Sequence, residues 1–177
     1  MAPVTAPGVL DRITAVLDVP ARVVGKLVAW LILPMVGSLV YEVTARYLFD
    51  APTEWAYDMT FMLYGTFFML GSAWTLQRQG HIRTDNFYSA WSPRTRGWVD
   101  VAGYLVFFFP ALIIFLVLSW DYFLRSYGQN ERIVTSPWLP IIWPFKLVMP
   151  VTAALLLLQG VSELVKSVRA GLRKDIE

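Results

Sequence analysis

The chain has 177 residues, 56% hydrophobic and only 16% charged, with 15 basic against 13 acidic side chains, one histidine and no cysteine. That charged share lies well below the quarter or so typical of soluble domains, and roughly 80 residues fall in apolar stretches, so no separate soluble domain of about 50 residues or more fits in what remains. The absence of cysteine excludes disulfides, thiolate metal sites, iron-sulfur clusters and cysteine nucleophiles.

The composition and the apolar stretches indicate an all-α membrane protein with four transmembrane helices. Residues 1–23 form a cytoplasmic N-terminal tail, residues 24–166 the transmembrane domain and residues 167–177 a cytoplasmic C-terminal tail. In the first tail Leu10, Ile13, Val16 and Leu17 recur at helical spacing, with Asp11 and Asp18 on the opposite side, until Pro20 interrupts. This pattern predicts a short amphipathic helix on the membrane surface.

The first span is expected at about residues 24–45. Leu27 to Tyr41 carry no charge, Lys26 snorkels to one set of headgroups, and the helix runs on through Glu42 at the other. Glu42 and Arg46 then stand four apart in the favourable order for a helical ion pair. Pro52 suits the first turn of a new helix, and Glu54 and Asp58 suit its positive N-terminus. Arg46, Trp55 and Tyr57 together have the anchor composition of a protein interface, and the aromatics equally suit the headgroup belt.

The second span, about residues 55–78, contains 19 uncharged residues from Met59 to Gln77, close to the ~20 that cross a hydrocarbon core. Gly65 and Ser72 share a face and predict a packing seam. Gly80 is placed to stop the helix, and His81, Arg83 and Asp85 alternate after it as candidates for hydrogen bonding or partner contact. One histidine cannot build a haem or metal site within the chain. Phe87, Tyr88 and Trp91 predict a second interfacial amphipathic helix in this loop.

The third span, about 100–121, is uncharged from Val101 to Trp120. The fourth, about 143–165, is approached through Pro137, Pro140, Pro144 and Pro150. Four prolines in 14 residues cannot form one regular helix, so this approach must bend or break. Of the 15 basic residues, 11 lie in the two tails and the second loop, which places both termini in the cytoplasm.

The centres of all four spans hold no ionisable residue of the kind that marks coupled carriers and proton pathways. There is also no Gly-rich phosphate loop, no nucleophile-base set and no HExxH zinc motif. An enzyme is not expected on these grounds, and nucleic acid is not an expected partner. A subunit packed against a larger protein in the lipid is the economical reading. A self-contained homodimeric carrier would need Glu42 or Glu163 drawn deeper into the membrane, and a membrane-anchor subunit of a redox complex would normally supply two axial histidines.

Three strings then carry a family resemblance: Arg46-Tyr47-x-Phe49-x-x-Pro52-x-x-Trp55, Leu70-Gly71-x-Ala73, and Gly80-His81-Ile82-Arg83-x-Asp85. With the late Pro-rich segment and Lys146, they resemble the small, DctQ-type membrane subunit of TRAP (tripartite ATP-independent periplasmic) transporters. The resemblance implies a bacterial inner-membrane protein that acts as a stationary scaffold. Its partners would be a large multi-span membrane subunit, which holds the sodium ions and the solute, and a periplasmic solute-binding protein that delivers a small organic acid. It implies no cofactor in this chain. Arg46, Trp55, Gly71, His81, Arg83, Asp85 and Lys146 are the candidate structural or subunit-contact positions.

Overall fold

A computed structural model describes residues 9–78 and 91–172. The described chain is helical, with a single antiparallel bridge, Arg132 to Ile141, as its only extended pairing. In order the elements are α1 (Val9–Ala29), α2 (Ile32–Leu48), α3 (Ala56–Gln77), α4 (Pro93–Gly103), a π-helical turn (Tyr104–Phe108), α5 (Phe109–Gly128) and α6 (Trp143–Leu172).

Prolines set most of the breaks. Pro34 has no N–H to offer the carbonyl of Trp30, which instead accepts from Leu33 at 3.2 Å. The chain tightens there into the turn at Trp30–Leu31 that separates α1 from α2. Pro110 likewise leaves the carbonyl of Val106 without its usual donor, and the helix widens by one residue just before it. The N–H of Phe109 then reaches back five residues to Tyr104. Pro144 sits harmlessly in the first turn of α6, whereas Pro20 and Pro150 lie inside α1 and α6. The expected interruption at Pro20 is absent: α1 continues to Ala29, because neighbouring packing compensates for one missing hydrogen bond.

α6 is the central element, packed against α1, α3, α4 and α5, while α2 packs on α3. The core is small. Ala21, Ala73 and Leu155 meet where α1, α3 and α6 cross, with Val24, Leu70 and Leu156 against them. Small residues allow these close crossings. A Cβ on Gly65 would fall 2.7 Å from the Phe145 ring, so the expected seam on α3 receives α6 there. Large apolar side chains face outward instead, among them Trp30, Tyr47, Phe68 and Phe107. This is the arrangement of a protein that uses lipid as its solvent.

Three helical stretches, Leu10–Leu48, Arg94–Gly128 and Trp143–Leu172, are long and apolar enough to cross a membrane. α3, the expected second span, has sufficient length at 22 residues. Its threonines, glycines and Ser72 dilute its hydropathy, and it carries no charge after Asp58.

Candidate functional site

Polar side chains gather in two layers at opposite ends of the bundle. The first lies at the loop end, where α2 passes to α3 and α5 to α6. Glu42 accepts from Arg46 Nε at 2.9 Å, as the spacing predicts, and also from the backbone N–H of Thr53 at 2.9 Å and from the Thr53 hydroxyl. One carboxylate thus ties the end of α2 to the following loop. Ser38 and Thr60 share a hydroxyl bond of 2.8 Å between α2 and α3.

Across the same end, Lys146 at the start of α6 is buried, its side chain only 4% exposed, and it forms an ion pair with Glu131. Its ammonium also lies 3.8 Å from the ring centroid of Tyr122 on α5. Residues 129–142 form a compact loop. Ile133 N–H donates to the carbonyl of Pro140, Ile142 N–H to that of Glu131, and Arg132 Nη1 to that of Leu139, each at 3.0 Å. Leu139 adopts φ of 49°, a conformation that costs a leucine roughly 1–2 kcal/mol, and the Arg132 bond helps to hold it. The Ser136 hydroxyl donates to Asp58, fastening this loop to α3.

The Lys146 hydrogen bond, more than any other influence, holds the Glu131 carboxyl below the usual glutamate range. A carboxylate with a lowered folded pKa adds stability above the unfolded value of about 4.3 and loses it as pH falls through the folded value. The loop is therefore expected to loosen as pH drops below about 4. Tryptophan fluorescence from Trp138 and Trp143, followed against pH, checks this. Lys146→Met should abolish that transition, and an identical profile in both proteins would reject the assignment.

The second layer lies at the end that carries the two described termini. Asp18 on α1 is enclosed by α6: its Oδ1 accepts from Gln159 Nε2 at 2.9 Å and Ser162 Oγ at 2.6 Å, and its Oδ2 from Lys166 Nζ at 3.0 Å. Lys166 also donates to Glu163 Oε1 at 2.7 Å, and Gln159 Nε2 to the same oxygen at 3.1 Å. Gln77 at the end of α3 donates to the backbone carbonyl of Asp18 at 3.1 Å. One turn outward, Arg169 pairs with Asp11. Three helices are therefore joined through one largely buried polar cluster. Gln159 is fully buried, and the side chains of Asp18 and Glu163 are 13% and 4% exposed.

This arrangement corrects the surface-helix expectation for α1. Asp18 does not turn to water but packs onto α6, Asp11 stays half exposed in its pair with Arg169, and the apolar Leu10, Ile13 and Val16 are exposed. The signal was available on α6, where Gln159, Ser162, Glu163 and Lys166 form a polar stripe at i, i+3, i+4 and i+7 in an otherwise apolar helix.

Of the residues singled out from the sequence, Arg46 turns to Glu42, Trp55 stacks obliquely on Tyr41 at 5.6 Å, and Tyr57 is exposed. Gly71 faces an open groove between α1 and α3. Lys146 anchors the loop-end layer. His81, Arg83 and Asp85, the Gly80 stop and the helix expected around Phe87 and Tyr88 lie outside the described residues. Among the described residues no group of His, Cys, Asp and Glu is placed to hold a metal ion.

The layers are separated by about 28 Å along α3, from Asp58 to Gln77, at 1.5 Å per residue. Lys146 and Glu163 on α6 stand about 25 Å apart by the same measure. Both values approach the ~30 Å of a bilayer's hydrocarbon core. The chain matches no curated protein. The family model for the DctQ component of tripartite ATP-independent periplasmic transporters matches residues 35–170, from α2 nearly to the end of α6. With a helical fold whose buried ion pairs, among the described residues, gather in two layers nearly a membrane's thickness apart, the chain belongs to the DctQ family, the DctQ component of TRAP transporters.

Proposed function

We propose that the chain is the stationary scaffold of a sodium-driven TRAP transporter in a bacterial inner membrane, crossing it four times with both termini in the cytoplasm. The large multi-span subunit holds the sodium ions and the solute, and a periplasmic binding protein delivers a small organic acid. The observation that carries this reading is the chemistry between the two polar layers. Each layer pairs its buried charges internally, and residues 59–77 of α3 and 101–120, from α4 into α5, cross between the layers without a single Asp, Glu, Lys, Arg or His. A carrier that couples solute to ions through its own residues needs such groups inside.

The four-span layout is supported by α3 lying beside α1, α2 and α6 between the same layers, despite its diluted hydropathy. The excess of basic residues at the terminal end supports a cytoplasmic assignment for that end. Arg46, Trp55 and Lys146 are then posts that shape the periplasmic face, and the outward apolar surface is divided between lipid and the large subunit. Purification in mild detergent from membranes that contain the whole transporter tests this assignment. The chain is expected to elute with a larger integral protein, and recovery only as a monodisperse homo-oligomer would overturn the scaffold reading.

A further inference from the structure

α1 has a third surface that neither its buried face nor its apolar face explains. Arg22, Lys26 and Ala29 follow one another at i, i+4 and i+7, so they share a side of the helix. Ala29 and Gly25, on that side, form one wall of a groove of about 440 Å³ whose other wall is α3, with Phe67, Phe68, Gly71 and Trp74. This falls within the roughly 300–1,000 Å³ of small-molecule sites. Apart from its chain neighbours and its own helix backbone, no atom lies within 4 Å of where a Gly71 Cβ would stand, so the groove floor is bare helix backbone.

The groove has a charged mouth. Arg22 stands nearly one turn before Gly25, and Lys26 directly after it. At the end of α3 the Arg78 guanidinium lies 4.7 Å from the ring centroid of Trp74, itself a lining residue. All three cations are exposed, and none is paired with a carboxylate among the described residues. Arg78 directly follows Gln77 on α3, and Arg22 and Lys26 follow Asp18 on α1 by about 6 and 12 Å of helix rise. We infer that the α1–α3 groove binds an anionic phospholipid, with an acyl chain against Phe67, Phe68 and Gly71 and the phosphate held by Arg22, Lys26 and Arg78.

The occupant is identified by the placement of charge. An apolar trough with three unpaired cations at one end matches an amphiphile with one anionic end, and a bilayer supplies such molecules at this depth. A helix of a partner protein would fill the trough but would have to bring acidic residues to the mouth. The lipid inference does not depend on the scaffold reading, since it concerns the chain by itself.

The test uses the purified full chain in phosphatidylcholine bilayers containing spin-labelled phosphatidylglycerol or spin-labelled phosphatidylcholine. Electron spin resonance reads the motionally restricted fraction of each. Phosphatidylglycerol is expected to associate about fivefold more strongly, the factor contributed by a single cation near a membrane surface. The triple variant R22Q/K26Q/R78Q should bring the ratio close to one, with helicity unchanged by circular dichroism because all three side chains are exposed. Gly71→Leu, which fills the trough and leaves the cations in place, should also remove most of the preference. Equal association of the two lipids with the unaltered chain would overturn the inference, as would a preference that survives the triple variant. A Gly71→Leu chain that keeps its lipid preference but no longer co-purifies with an integral partner would assign the groove to a protein helix and likewise reject the lipid.

Discussion

Replacing Lys166 with methionine is expected to destabilise the folded chain by about 3 kcal/mol, the lower end of the range for removing one partner of a buried ion pair. Lys166 is the only cation that contacts both Asp18 and Glu163 among the described residues. Without it, two carboxylates are left together where little water reaches them. The lower end applies because the Lys166 side chain is itself 35% exposed, so solvent screens part of the loss. Far-UV circular dichroism during denaturant titration in detergent micelles measures the effect. The double change Asp18→Asn with Lys166→Met should recover much of the stability, since an amide carries no charge and still accepts from Gln159 and Ser162. If the single variant unfolds with the unaltered midpoint, the polar cluster does not hold α1 to α6.

Gly97→Leu is expected to cost about 3 kcal/mol, at the upper end for overpacking, and to detach α4 from the end of α6. A Cβ at this position would fall 2.4 Å from the backbone nitrogen of Gly171 and 2.7 Å from the carbonyl oxygen of Ser167. Backbone atoms inside a helix cannot yield as a flexible side chain can, so the two helices must separate. The consequence is local. Trp98, which packs on Gly171, should become more accessible, and hydrogen exchange should rise over residues 93–103 while α3 stays protected. Gly71→Ala provides the contrast, because open space surrounds that position and little change in stability is expected. Equal loss in both variants would show that glycine content, not the α4–α6 approach, sets the response.

What the sequence disclosed depended on how local each feature is. The Glu42–Arg46 pair is legible because its partners are four apart on one helix. Absence of charge marks α3 and α5 because a bilayer tolerates little else over that length. The Pro-rich approach to α6 is legible as a break, although Pro144 and Pro150 proved compatible with helix once one took the first turn and neighbouring packing supported the other. The cluster at the terminal end was not legible in the same way. Asp18 meets Gln159, Ser162 and Lys166 across more than 140 residues of chain, and α1 taken alone is amphipathic in the manner of a surface helix. Only packing decides whether its acidic face meets water or another helix. The π-helical turn before Pro110 and the reach of Thr53 to Glu42 likewise depend on backbone adjustments that residue spacing does not encode.

The scaffold assignment requires that transport chemistry reside in another chain. Proteoliposomes holding this chain alone, and proteoliposomes holding it with its large partner subunit, can be compared under the same inward sodium gradient, with the binding protein and a panel of radiolabelled organic acids outside. Sodium-dependent accumulation is expected only where the large subunit is present, with no uptake by the chain alone above the level of protein-free vesicles. Accumulation of any of these acids by the chain alone would contradict the assignment and return the apolar bundle to the status of a carrier.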